Sequence, residues 1–258
     1  MQNKFLYSKI SKNLFTISFF SIFFFIGSQI YTDYGFYIDE KFHRANGFYW
    51  RNYISTFFGH EKLIEISKLK FDEIQGFTLP SIQEWNLYSI IFDLPAAYFE
   101  LALDLKTPRE FYEMRHFLVF LIFFIGSICF YKILINRFKN YIVCIFGLIL
   151  FILTPRLFGD SFWNNKDIIF LSFYVFSIFF YFKLIDKSSF LNILFFSMFA
   201  ALTTSIRIAG IFLPVTYIFF FLVDKLSKRN DIKVNSLIFH LFLYFLILFI
   251  CSPFLWSN

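Results

Sequence analysis

Asp39 and Glu40 stand side by side within ten residues of an apolar stretch that is long enough to cross a bilayer. Charge at a bilayer face is costly unless it is solvated or paired. Two adjacent carboxylates can supply a general base, ligate a metal or orient an acceptor; their ordinary alternative is to cap a helix or sit in a wet loop. His43 follows Asp39 by four residues, so on a helix the two would share a face. A second polar cluster runs from Pro155-Arg156 to Asn164-Asn165-Lys166-Asp167. Its cations and a following helix N-terminus would suit a phosphate, and either asparagine could cap that helix. Trp163 within it fits a sugar face or a membrane-interface belt. Arg207, between two apolar stretches, is either a functional cation near membrane depth or a turn residue reaching for the interface.

These groups can act together only if the chain brings them to one side of a membrane. Of the 258 residues, 58% are hydrophobic and 16% charged, and the mean hydropathy is +0.63. Soluble domains carry about 25% charged residues, so this composition marks a polytopic membrane protein. Apolar stretches at roughly 14–31, 116–135, 141–154, 168–184, 189–203, 206–223 and 236–252 give seven expected crossings, the fifth and sixth short. The lysine-rich N-terminus resembles a signal peptide, but no small-residue cleavage site follows, so it reads as an uncleaved anchor. With that end inside, Lys132, Arg137, Lys139, Lys183, Lys187, Lys225, Lys228, Arg229 and Lys233 all fall on cytoplasmic connections, as positive-inside topology requires. The segment 32–115 and the 155–167 cluster then both face outside.

Within the outer segment, Leu87, Ile90, Ile91, Leu94, Tyr98, Leu101 and Leu105 recur at helical spacing, with Asp93, Glu100 and Asp104 on other faces. This predicts an amphipathic helix along the outer membrane surface. Thr107-Pro108-Arg109-Glu110 reads as a capping box that starts the next helix near Pro108.

The net charge of +6 is explained by basic residues at span ends, and no glycine-rich phosphate loop, zinc pattern or RNA-binding signature accompanies it. Nucleic acid is therefore not an expected partner. Cys129, Cys144 and Cys251 lie in apolar segments and read as small hydrophobes. The 46 phenylalanines read as packing and lipid-facing residues.

Ile38-Asp39-Glu40-Lys41-Phe42-His43 resembles the acidic motif in the first outer loop of GT-C glycosyltransferases, in the branch of protein O-mannosyltransferases and lipid A aminoarabinose transferases. The stretch from Leu87 to Arg115 is similar to that branch's juxtamembrane helix, with Arg115 matching the arginine before its second span. Pro155-Arg156-Leu157-Phe158-Gly159, Ser161-Phe162 and Asn165-Lys166-Asp167 resemble its second-loop motif, and Ser205 to Gly210 its basic turn. The resemblance implies an all-α GT-C fold of about seven transmembrane helices, with a long first extracytoplasmic loop carrying juxtamembrane helices. Residues 1–258 would form one such module, a C-terminally truncated form, because family members are longer.

The implied reaction is inverting transfer of a sugar from a polyprenyl-phosphate donor to a glycan, lipid or protein acceptor, outside a bacterial plasma membrane. Asp39 and Glu40 would be catalytic. His43, Arg156, Asn165, Lys166, Asp167 and Arg207 would bind substrate, with no metal or cofactor. Two non-enzymatic readings compete: a membrane scaffold that binds lipid-linked sugar without turnover, and a transporter.

Overall fold

The computed structural model describes residues 2–74, 89–228 and 232–257. It is helical throughout, with no strand among the described residues. The helices are α1 (Gln2–Ile30), α2 (Ile38–Phe57), α3 (Glu61–Asp72), α4 (Asp93–Ala102), α5 (Pro108–Phe138), α6 (Tyr141–Leu153), α7 (Pro155–Asp160), α8 (Asp167–Asp186), α9 (Phe190–Ile206), α10 (Phe212–Leu226) and α11 (Val234–Ile250). Each of the seven apolar stretches forms a helix: α1, α5, α6, α8, α9, α10 and α11.

Local chemistry sets the boundaries. Glu110 N–H donates to Thr107 Oγ1 (3.3 Å) while Glu110 Oε2 accepts from Thr107 N–H (3.0 Å), so α5 starts at Pro108 through a reciprocal cap. It stops where Lys139 turns left-handed, with φ 51°. Asn140 Oδ1 accepts from Ile142 and Val143 N–H and opens α6. Neither asparagine is the N-cap of α8, which is Lys166; Asn164 Oδ1 instead accepts from Lys166 N–H (3.3 Å) and Asp167 N–H (2.8 Å) in the turn that leads into the helix.

Among the described residues, four segments are long and apolar enough to cross a membrane: Ser11–Asp33, Pro108–Phe138, Asp167–Asp186 and Ile208–Leu226. Helices α6, α9 and α11 are shorter, at 13, 17 and 17 residues. The sixth stretch is thus not short, because the 3-10 turn Ile208–Ile211 runs directly into α10.

The phenylalanines divide as expected between packing and exposed positions. Phe23 of α1 meets Phe120 edge-on at 5.5 Å, and Phe120 stacks on Phe162 at 5.3 Å. These rings join Val119, Phe123, Leu148, Ile152 and Ile168 in one core shared by α1, α5, α6 and α8. Phe146, Phe219, Phe242 and Phe245 are exposed, as lipid-facing side chains would be. Lipid is as apolar as these side chains, so close packing and interhelical hydrogen bonds hold such helices together. Buried Ser197 and His240 Nδ1 lie 2.8 Å apart between α9 and α11, and Tyr244 O–H donates to Thr204 Oγ1 at 3.0 Å.

Helices α2, α3 and α4 form a separate layer with their own core of Phe48, Trp50, Phe71, Ile90 and Ala97. Arg51 Nη1 fastens α2 to α3 by donating to Ser67 Oγ (2.6 Å) and Leu63 O (3.2 Å). Burial pulls the pKa of Arg51 below its ordinary value, opposed by Tyr98. The amphipathic helix expected from Leu87 differs from α4 in extent and orientation. Leu87 lies outside the described residues, and the helix starts at Asp93 with Pro95 in its first turn, where proline is tolerated. Its acids point inward: Asp93 is 3% and Glu100 1% exposed, while Tyr98 and Phe99 are open. The reason is ion pairing inside the layer. Arg44 grips Glu100 through Nε (3.1 Å to both oxygens) and Nη2 (2.6 Å).

Candidate active site

A cavity of about 450 Å³ is lined by all eight expected site residues: Asp39, Glu40, His43, Arg156, Asn165, Lys166, Asp167 and Arg207. They arrive on four pieces of chain. The first turns of α2 carry the acids and His43, α7 carries Arg156, the α7–α8 connection carries Asn165 and Lys166, and Arg207 follows α9. Tyr37 and Trp163, with ring centroids 4.4 Å apart, add an aromatic wall.

The two adjacent acids have different surroundings. Asp39 is exposed to the cavity, and among the described residues no hydrogen bond or ion pair engages it. Glu40 is 4% exposed and doubly held. Its Oε2 accepts from Tyr37 N–H at 2.8 Å, and its Oε1 lies 2.7 Å from His116 Nε2. The other nitrogen of His116 faces Tyr31 O at 3.3 Å. Both ring nitrogens thus face oxygen atoms, one on each side of the ring. His116 also lines a second, larger cavity of about 650 Å³ beside Tyr34, Phe111 and Tyr112. The Glu40–His116 pair forms part of the partition between the two spaces.

Beneath the first cavity lies a carboxylate that the sequence placed only on a helix face. Asp93 Oδ2 is 2.9 Å from His43 Nδ1 and accepts from Asn46 Nδ2 at 2.8 Å; its Oδ1 accepts from Asn165 Nδ2 at 3.1 Å. It therefore ties α2, α4 and the α7–α8 connection together. Arg115 Nη1 stands 3.9 Å from the same carboxylate. Arg115 is 2% exposed, and its nitrogens have no hydrogen-bond partner among the described residues. Two glycines permit these approaches. A Cβ on Gly47 would come within 2.3 Å of Asp93 O, and one on Gly210 within 2.4 Å of Thr204 N, in the turn that presents Arg207.

Two of the cations, Arg207 and Arg156, are only loosely committed. Arg207 pairs with Asp167, both more than 40% exposed, and Arg156 Nε lies 3.6 Å from Asp160. Exposed pairs of this kind contribute about 0–1 kcal/mol, so a phosphate can exchange for the carboxylate at little cost. The cavity thus combines an accessible carboxylate, three basic side chains and aromatic walls. Such a set can take a proton from a hydroxyl and stabilise a phosphate leaving group. Among the described residues, no three His, Cys, Asp or Glu side chains converge as a metal-binding group would.

His116 and Asp93 are the site-building residues the sequence left unassigned. The signals were weak: a histidine at the mouth of a span, and an acid at a helix start.

A family model described as dolichyl-phosphate-mannose-protein mannosyltransferase matches residues 113–256, more than half of the chain. The match includes His116, Arg156, Asn165, Lys166, Asp167 and Arg207, whereas Asp39, Glu40 and His43 precede it. No curated protein and no solved structure matches the chain.

Proposed function

This chain belongs to the dolichyl-phosphate-mannose-protein mannosyltransferase family, a GT-C type of membrane glycosyltransferase that uses lipid-linked sugar, and from that premise we propose the following reaction. The enzyme moves a sugar from a polyprenyl-phosphate donor to an acceptor hydroxyl or amine on the extracytoplasmic face of the plasma membrane, with inversion. Asp39 takes the acceptor's proton as its oxygen or nitrogen attacks the anomeric carbon. The bond from that carbon to the phosphate oxygen breaks, and the electron pair leaves with the lipid phosphate. Lys166, Arg207 and Arg156 stabilise the charge growing there. Glu40, held by Tyr37 and His116, fixes the first turn of α2 and with it the aim of Asp39. His43 and Asn165, both anchored on Asp93, contact the sugar or acceptor. A single displacement needs no second carboxylate as nucleophile, in contrast to a retaining glycosidase.

One observation supports this reading: a single cavity holds the unengaged Asp39 carboxylate together with the basic side chains of Arg156, Lys166 and Arg207, and the pairs of Arg156 and Arg207 are exposed. The test is transfer of radiolabelled sugar from polyprenyl-phosphate sugar in membranes. Asp39→Asn should lower turnover by about a hundredfold or more, the size expected for a lost general base, while donor photolabelling persists. Wild-type turnover in Asp39→Asn would refute the assignment of the base.

A further inference from the structure

A third cavity, of about 540 Å³, lies at the far end of the helix bundle. It is lined by Lys12 of α1, Lys132 of α5, Lys139 just beyond α5, and Lys183 of α8, with Asn13, Asn136, Tyr131 and Tyr141, and by no acid. Its position follows from the helices themselves. His116 beside the candidate site and Lys132 beside this cavity are both on α5, sixteen residues apart. At 1.5 Å per residue that is about 24 Å, close to the depth of a hydrocarbon core. The two cavities therefore open at opposite membrane faces.

The floor is built. Tyr141 O–H donates to Lys12 O at 3.2 Å, and Thr16 Oγ1 lies 3.2 Å from the Tyr131 hydroxyl, so α1, α5 and α6 are stitched together below the lysines. One wall is apolar: Phe179 is buried, and Lys183 Nζ rides over its ring at 4.7 Å, with Lys132 Nζ at 5.8 Å from the same ring. Among the described residues none of the four lysines has a carboxylate within ion-pair distance. Span-end lysines usually reach separately into water. Here three helices gather four of them around one open cavity beside apolar rings.

We propose that this cavity binds the phosphate headgroup of an anionic phospholipid from the leaflet opposite the candidate active site. The lysines and tyrosine hydroxyls would take the phosphate, and the Phe179 side would meet the first methylenes of the acyl chains. Basic pockets between membrane helices act in this way through about 1 kcal/mol of attraction per basic residue. The site is separate from the glycosyl-transfer reading and does not depend on it.

The experiment is native mass spectrometry of the delipidated full chain in a neutral detergent, titrated with phosphatidylglycerol or phosphatidylcholine. Wild type should retain phosphatidylglycerol preferentially. The double variant Lys132→Gln/Lys183→Gln should hold it about thirtyfold more weakly, roughly fivefold for each lysine. Lys187→Gln, outside the cavity, should bind as wild type does. Equal retention of the two lipids, or equal binding by the double variant, would overturn the proposal. A third arm adds excess inorganic phosphate: unchanged lipid retention supports a lipid occupant, whereas displacement would assign the cavity to free phosphate instead.

Discussion

Asp93 carries no obvious chemistry, yet three side chains around the cavity depend on it. Its carboxylate accepts from Asn46 and Asn165, meets His43, and is the closest acid to buried Arg115. Asp93→Asn puts an amide N–H against one of those donors and leaves Arg115 less compensated. Removing one member of a buried charged set costs about 3–5 kcal/mol. Asp93→Asn should therefore melt earlier, and its remaining folded fraction should turn over at least tenfold more slowly than wild type. A variant with lower stability but wild-type kcat per folded molecule would reduce Asp93 to a structural role. The neighbouring residues were legible to different degrees. Asp39, His43 and Asn165 could be picked out by type and by position beside apolar stretches. Asp93 could not, because helical periodicity says which face a residue is on but not whether that face meets water or an asparagine from 72 residues away.

Among the elements, α2 and α4 set the geometry, and they touch where Gly47 has no side chain. A methyl group there would lie 2.3 Å from Asp93 O, a backbone atom that cannot turn aside. Gly47→Ala should push α4 away from α2, cost about 1–3 kcal/mol by overpacking, and lower turnover through the displaced Asp93 carboxylate. Thermal unfolding in detergent and a transfer assay measure both effects; unchanged stability and turnover would show that the two helices can separate harmlessly. The sequence announced α5 through its capping box and the apolar helices through their composition. It did not announce α2, which runs for 20 residues from Ile38. That helix is buried on more than one side, with Glu40, Arg44, Arg51 and Asn52 inside, so polar residues interrupt the apolar stripe that would reveal it.

For the molecule as a whole, the positive-inside reading of the charges puts the lysine-lined cavity inside and the acidic one outside, an expectation that labelling can test. In a background without Cys129, Cys144 and Cys251, Thr56→Cys should react with an impermeant maleimide from outside intact cells, and Lys187→Cys only after permeabilisation. Reaction of both from the same side would invalidate the orientation and move the proposed chemistry to the other face. The apolar helices were readable because hydropathy is a property of local composition; the convergence of α2, α7, α8 and the turn at Arg207 was not, since it depends on packing between distant segments. That convergence also imposes an order on synthesis. Asn165 follows Asp93 by 72 residues, so at about 5–20 residues per second the ribosome adds it roughly 4–14 s later. Once Arg115 has followed, for the remaining part of that interval, Asp93 and Arg115 are both made while a partner of the carboxylate is not. The nascent chain must keep this corner hydrated until α8 begins, and an interruption of translation before Asn165 leaves a charged, half-assembled site for the cell's quality control to find.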